Sequence, residues 1–326
     1  MKIVMVNDCA HVGETLIKYL PEEFKVLHLK RTRSFFDKTF RITWKILRSK
    51  GDIYHVHYLL QDCYLTLKFG KHPIIGHAHG SDLRDTIHSR KWGWIVKYNL
   101  RNCDKILVAQ PTILETAKEY NETAEYFPIP YDPKLFYPKP LPKERKIKRI
   151  FLASKHDFKI KGTDKFLYAL AKVKVPFELK TINYGKDAQK AQILARKLGL
   201  KAKFINKAPH EKMNELYWEA DLVLGSFGVG QLDTVAIEAM ACGRPVIHGI
   251  KKRYFPGCPL VDVETPNDEV ISLIYKLLSS RKMRESQISK QLGYIKQHDA
   301  SVLANKITMI YQRIGHLRLK KNRIFM

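Results

Sequence analysis

Residues 228–247 read GVGQLDTVAIEAMACGRPVI, and this stretch decides how the rest of the chain is read. Two glycines open a loop and a helical apolar pattern starts near Thr234. Gly243 stops it, and Pro245 leads into a short β-branched strand. The first N–H groups of such a helix have no partner within it and carry partial positive charge, so the turn suits a phosphate. Glu238, one turn into the helix and set among apolar residues, is placed to accept from the hydroxyls of a sugar or ribose. Outward from this unit the same alternation recurs. Strands are predicted at 149–153, 178–184, 203–205, 222–224 and 245–248, with helices at 164–172, 188–198, 211–219 and 234–241. Toward the N-terminus strands are predicted at 2–6, 53–58, 74–78 and 106–109, the first leading through Gly13 into a helix that runs to Leu20. Strands alternating with helices define an α/β chain whose parallel sheets are covered on both faces.

Residues 126–142 contain Pro128, Pro130, Pro133, Pro138, Pro140 and Pro142, followed by a charged run at 143–148. Proline fixes φ and cannot continue a helix or a central strand, so this segment is a connector. Two Rossmann-like domains joined near residue 140 would face each other across a cleft, with ligands beyond the carboxyl ends of the strands.

Composition sets the outer bounds. The 326 residues are 45 % hydrophobic and 28 % charged, a globular balance. No apolar run approaches the roughly 18 residues that span a bilayer, and residues 2–6 run directly into Asn7 and Asp8 without a cleavable signal. The expectation is a cytoplasmic protein, or one attached to a membrane from that side. Five cysteines without a CxxC pair read as free thiols. With 58 Lys+Arg against 32 Asp+Glu the net charge is +26, which directs the protein to polyanions: nucleic acid, anionic lipid or phosphorylated small molecules. No RNP-type aromatic strand, zinc-finger spacing or basic zipper is present, and the basic residues are spread over both halves, which argues against nucleic acid. The chain carries no mark of a particular oligomeric state.

Residues 238–247 resemble the second-domain motif of retaining glycosyltransferases of GT-B architecture, in particular family 4 (group 1). There an acidic Glu-Gly-Phe-Gly loop precedes Glu-Ala-Met-Ala-x-Gly-x-Pro-Val-Ile. Where the family places its first acid, eight positions before Glu238, this chain has Gly230. The resemblance implies that the donor lies against Gly230, Gln231, Asp233, Thr234, Val235 and Glu238, with Asp233 or Gln231 standing in for the missing acid. The stretch from Ser154 and Lys155 to Lys161 and Gly162 is similar to the family loop whose cations neutralise the donor diphosphate. Two cations facing a leaving phosphate are what a metal-free transfer requires. Pro209-His210 resembles the segment over the nucleotide base, and residues 127–136 the interdomain hinge, where Asp132 reads as structural. In the first half, residues 76–82 (GHAHGSD) are similar to the family His-Gly-x-Asp turn, which implies that His79 points toward the acceptor or the transferred sugar. Gly13 occupies the place of the family's glycine-rich donor loop.

His55 with His57 and His77 with His79 are i,i+2 pairs on one face of a strand. No carboxylate or Cys spacing joins them and there is no Asp-x-Asp motif, so neither a metal nor another cofactor is expected. The implied organisation is an acceptor-binding domain (1–140), a nucleotide-sugar-binding domain (141–300), and a closing helix with a basic tail (301–326) that crosses back to the first domain. The implied reaction is metal-independent, retaining hexosyl transfer from a nucleoside diphosphate sugar to a hydroxyl acceptor, lipid-linked or glycan. His79, Lys161 and Glu238 are the catalytic candidates. Residues 30–50 add a helical stripe of Lys38, Arg41, Lys45 and Arg48 that would face an anionic membrane, while Phe36, Phe40, Trp44 and Leu47 form a second stripe expected to pack on the sheet. Two other classes fit parts of the sequence. One is a catalytically silent glycan- or nucleotide-binding partner of a transferase, which Gly230 favours. The other is a basic RNA-binding protein.

Overall fold

β1 (Lys2–Val6) is a run of buried apolar residues, and the chain that follows wraps it into a six-stranded sheet. In order come α1 (Val12–Ile17), β2 (Lys25–Leu29), α2 (Ile42–Arg48), β3 (Ile53–His57), α3 (Gln61–Lys68), β4 (Ile74–Ala78), α4 (Ser81–Arg84), α5 (Gly93–Asn102), β5 (Lys105–Val108), α6 (Leu114–Lys118) and β6 (Glu125–Tyr126). The strand order is β2-β1-β3-β4-β5-β6 and every pairing is parallel. Every residue of β3 and β4 is buried, as expected of central strands covered on both faces. The structure, a computed structural model, describes residues 1–31 and 40–324, the last eight as backbone only.

A second sheet begins at β7 (Lys148–Leu152). It continues through α7 (Phe158–Lys161), α8 (Thr163–Ala171), β8 (Phe177–Ile182), α9 (Ala188–Lys197), β9 (Ala202–Ile205), α10 (Met213–Glu219), β10 (Leu222–Leu224), α11 (Thr234–Ala241) and β11 (Val246–Ile247). Its order is β11-β10-β7-β8-β9, again all parallel. A two-stranded pair, β12 (Gly249–Ile250) with β13 (Val261–Asp262), precedes α12 (Asn267–Ser279), α13 (Arg281–Ile295) and α14 (Ala300–Ile324). Each sheet has one switch point, where strand order reverses: between β1 and β3 in the first, between β7 and β10 in the second.

The chain divides into two compact units, Met1–Pro130 with His298–Met326, and Tyr131–Gln297. The division falls ten residues before the expected position near 140. The reason is that the proline-rich connector is packed onto the second unit from residue 131 onward. The buried Arg244 guanidinium donates to the carbonyls of Lys139 and Pro140, Asn214 Nδ2 donates to Leu135 O (2.9 Å), and Trp218 Nε1 donates to Tyr137 O (3.0 Å). Asp132 is structural, accepting the Lys134 N–H at 3.0 Å.

The expected packing of the aromatic stripe is overturned. Ile42 and Ile46 are the residues α2 buries, while Phe40 (64 % exposed), Trp44 (53 %) and Leu47 (44 %) face solvent. Two β-branched residues four apart suffice to seat this short helix, and the aromatic rings stand on the basic side, with the Arg48 guanidinium 4.2 Å over the Trp44 ring. Arg41 and Arg48 are exposed and Lys45 is half-buried. Lys38 and Phe36 lie outside the described residues.

Candidate functional site

The loops at the carboxyl ends of β7, β10 and β11 form one constellation, at the switch point of the second sheet. After β7 the chain makes a tight turn capped by Asp157, which accepts the Ile160 N–H (3.0 Å), and α7 ends at Gly162 with φ +57°. Against this turn lies the loop after β10. Phe227 N donates to Lys161 O (2.7 Å) and Val229 N to Ile160 O (3.1 Å). The two backbones run so close that a Cβ on Gly228 would sit 2.1 Å from Ile160 O, and one on Gly162 would sit 2.4 Å from Phe227 O. Only glycine permits this approach.

The stitching fixes Lys161. Its Nζ lies 2.6 Å from Asp233 Oδ2, and Asp233 is the N-cap of α11, accepting the Ala236 N–H. Ser226 Oγ also donates to Asp233 (3.1 Å). Burial raises the Asp233 carboxyl, but Lys161, His248 and the accepted hydrogen bonds outweigh it and hold the group well below the usual carboxylate range. Thr234 and Val235, both half-buried, open α11, and their N–H groups point out of the helix start. A lysine ammonium and a helix N-terminus therefore meet at one point, where the only anion supplied by the described residues is the Asp233 carboxylate. Lys155 is exposed on the same turn, and Ser154 is buried at the end of β7 with no partner for its hydroxyl.

Glu238 lies in α11 among apolar residues. It is buried, Oε1 accepts from His210 Nε2 (2.6 Å), and Oε2 accepts from Tyr217 Oη (3.0 Å). Its carboxylate holds the His210 ring, which also packs at 5.3 Å from Phe136, and this anchors the turn that leads into α10. Gly230 has φ +71°, and a Cβ there would fall 2.7 Å from Lys251 Cγ and 3.0 Å from Lys251 N. The acid that the resemblance places here has no room on this backbone. Gln231 stays half-buried, and its carbonyl accepts from His248 Nε2 (2.8 Å).

Two site histidines were not singled out from sequence. His248 ends the strand predicted at 245–248 and is fully buried. The Ser226 N–H donates to its Nδ1 (2.9 Å), so its proton sits on Nε2, and burial pushes its pKa down. His156, in the Lys155 loop, lies between Thr163 and Thr181 and is pushed by burial down to about 4. The only available signal was a histidine placed one to four residues beyond a strand in each case.

In the first unit, His79 follows β4. Asp82 accepts the backbone N–H groups of Gly80 (2.9 Å) and His79 (3.2 Å) and so shapes that turn. Gly13 is not free to cradle a phosphate. The Asp8 carboxylate already accepts the Gly13 and Glu14 N–H groups (2.9 Å each), and a Cβ on Gly13 would meet Met5 Sδ at 2.8 Å and His57 Nε2 at 3.0 Å. Beside it lies a cavity of about 310 Å³ lined by Asn7, Asp8, Lys30, Arg31, Tyr58 and Asp62, at the carboxyl ends of β1, β2 and β3. Asn7 and Tyr58 in its lining both have positive φ, strain of the kind that collects at binding sites. Among the described residues one group of ligand-type side chains converges, His55, His57 and His77, with ring nitrogens within 4.8 Å. A single ion bound at about 2.0–2.1 Å draws its nitrogens to about 3.4 Å, so this arrangement is looser than a formed metal centre.

The fold and this switch-point site define a GT-B protein of two Rossmann-like domains. Sucrose-phosphate synthase from Thermosynechococcus elongatus superposes with a TM-score of 0.75 at 14 % identity, over 97 % of this chain and 100 % of that one. HepE from Anabaena, solved with UDP-glucose, gives 0.74 at 15 % identity, over 96 % and 100 %. An E. coli trehalose-6-phosphate protein bound to UDP-2-fluoro glucose gives 0.70 at 12 % identity, over 96 % and 99 %. Residues 139–251, which hold Lys161, His210, Asp233 and Glu238, match the family model of glycosyl transferases group 1. No curated protein sequence matches the chain.

Proposed function

We propose that the protein is a glycosyltransferase that moves a hexosyl group from a nucleoside diphosphate sugar to a hydroxyl acceptor with retention at the anomeric carbon. The observation that carries this reading is the meeting of Lys161 with the open N-terminus of α11, within the segment that matches the group 1 family. A donor diphosphate replaces the Asp233 carboxylate as the anion at Lys161 and takes the Thr234 and Val235 N–H groups, with Lys155 adding charge from solvent. Ser154, Gly230 and Gln231 border the same space, and the His210 turn, braced by Glu238, flanks the base. The anomeric carbon–phosphate oxygen bond breaks, the new carbon–oxygen bond forms to the acceptor, and the acceptor proton passes to the leaving phosphate oxygen. The positive charge that this leaving group needs comes from Lys161 and the helix terminus, with no call on a metal or other cofactor. Asp233 then has a second role, as a neutralising partner that keeps Lys161 in place before donor arrives.

The acceptor belongs to the first unit, where the cavity at β1, β2 and β3 offers Lys30 and Arg31 beside carboxylates, a lining suited to a hydroxylated, anionic headgroup. A lipid-linked or glycan acceptor at an anionic membrane fits the outer surface. No described helix is long and apolar enough to cross a membrane. α2 packs beside α3, and α3 beside α5. Along them Trp44 and Trp94 (54 % exposed) stand outward with Arg41, Lys45, Arg48, Lys68 and Lys91. Indole rings interleaved with cations suit the headgroup layer. The test is thermal unfolding with UDP, GDP, ADP and CMP, followed by turnover of the sugar nucleotide of the base that binds. Ligand at 100 times its Kd stabilises by about 2.7 kcal/mol. No shift with any of the four would refute the donor site, and a shift without turnover on lipid-linked or glycan acceptors would favour the silent binding partner.

A further inference from the structure

β3 and β4 pair so that His57 lies beside His77, and His55 and His79 complete a block on one face of the sheet. The rings stack at centroid spacings of 4.5–5.3 Å with interplanar angles of 13–29°. His55, His57 and His77 are fully buried. Burial pushes all four imidazoles down, His79 to about 3, so each is neutral near pH 7 and carries one N–H and one lone pair.

The hydrogen bonds then determine which nitrogen holds each proton. His57 Nδ1 lies 2.8 Å from His79 Nε2, His77 Nδ1 lies 3.1 Å from His55 Nε2, and His55 Nδ1 lies 2.7 Å from Tyr311 Oη. The Nε2 atoms of His57 and His77 are buried without any partner. A buried N–H left without an acceptor is rarer and costlier than an acceptor left with a spare lone pair. The orphaned Nε2 atoms are therefore the lone pairs, and the protons sit on Nδ1. His57 Nδ1–H donates to His79 Nε2. That leaves the His79 proton on its own Nδ1, which has no partner among the described residues. By the same logic His77 donates to His55, and His55 donates to Tyr311.

We propose that the histidine block locks His79 as a neutral Nδ1–H donor to a ligand oxygen, with His57 as the positioning residue that selects the tautomer. His79 is then an oxygen-recognising donor in place of a base, and the ligand it serves rests on the glycosyl-transfer reading, with a sugar hydroxyl or phosphate oxygen as the acceptor. The lock itself does not depend on that reading.

Selective ¹⁵N-histidine labelling and long-range ¹H–¹⁵N correlation at pH 7 read the tautomers directly. The wild type is expected to show Nδ1–H at His79, assigned by its loss in His79→Gln. His57→Asn, whose amide N–H stands near the place of Nδ1, should keep it. His57→Leu should return His79 to the Nε2–H form that free histidine prefers, with kcat lowered and the Kd for donor diphosphate unchanged. An Nε2–H or charged His79 in the wild type overturns the proposal, whatever the variants do. So does an unchanged tautomer in His57→Leu, or one equivalent of tightly held zinc that shifts the Nε2 signals of His57 and His77. A lock observed by NMR with no effect of His57→Leu on kcat would leave the tautomer assignment standing and refute the role of His79 in transfer.

Discussion

Mild acid should unfold the first unit before the second. His55, His57, His77 and His298 are buried there and His79 is half-buried, and loss of solvent holds each well below 6.5, His79 to about 3 and His298 to about 4. In the unfolded chain they titrate near 6.5, so below that pH the unfolded state binds more protons and stability falls with pH until the folded values are reached. Between pH 7 and pH 5.5 each such imidazole costs about 1.2 kcal/mol. Five cost about 6 kcal/mol, comparable to the whole stability of an ordinary domain. The second unit has two histidines with lowered pKa, His156 at about 4 and His248, and should lose correspondingly less. Hydrogen exchange by mass spectrometry at the two pH values, corrected for intrinsic rates, compares β3 and β4 peptides with β7 and β8 peptides. If the opening free energy of the first unit drops by less than about 2 kcal/mol, or by no more than that of the second, the block is not neutral in the folded state and the reasoning fails.

Lys161→Ala should weaken binding of the donor diphosphate by about 10–150-fold, the equivalent of one charged hydrogen bond of 1.5–3 kcal/mol; titration calorimetry checks this, and an unchanged Kd would place the diphosphate elsewhere. Asp233, left with His248 and its hydrogen bonds from Ser226 and Ala236, should also lose part of its depression in that variant. The stabilisation present above about pH 4 and lost as pH falls through the folded value should then shrink, so wild type and variant should differ at pH 7 and converge in strong acid. Gly230→Glu, which places there the acid of the motif that residues 238–247 resemble, should gain no turnover and should destabilise the second unit by about 2–4 kcal/mol through its positive φ and the contact with Lys251; a Gly230→Ala protein as stable as wild type would contradict this. Trp44→Ala with Trp94→Ala should reduce co-sedimentation with vesicles containing anionic lipid while leaving the thermal shift by UDP unchanged. Equal binding to neutral and anionic vesicles would rule out the charge-based part of that surface.

Much of the second unit was legible because a parallel strand buried on both faces is a continuous apolar run with a sharp end. The predicted strand at 222–224 and helix at 234–241 coincide with β10 and α11. β2 was invisible because it is a short edge strand in which only Leu29 is buried, and Lys25 and His28 interrupt its apolar residues without a clean period of two. The contact between Lys161 and Asp233 spans 72 residues and depends on two backbones meeting at Gly162 and Gly228, which no local pattern reports.

Taken alone, the sequence determined the α/β alternation and the two-domain plan, and it marked the helix terminus and lysine that the proposed donor site uses. Those properties are carried by local periodicity and by residue type. Tertiary structure decided the rest. It turned Glu238 inward onto His210, closed the Gly230 position to any side chain, exposed the aromatic stripe of α2, and packed His55, His57 and His77 into a buried block with half-buried His79 at its edge. Each depends on which atoms a side chain meets across the fold, and burial and pairing, more than residue identity, set its charge and its partners.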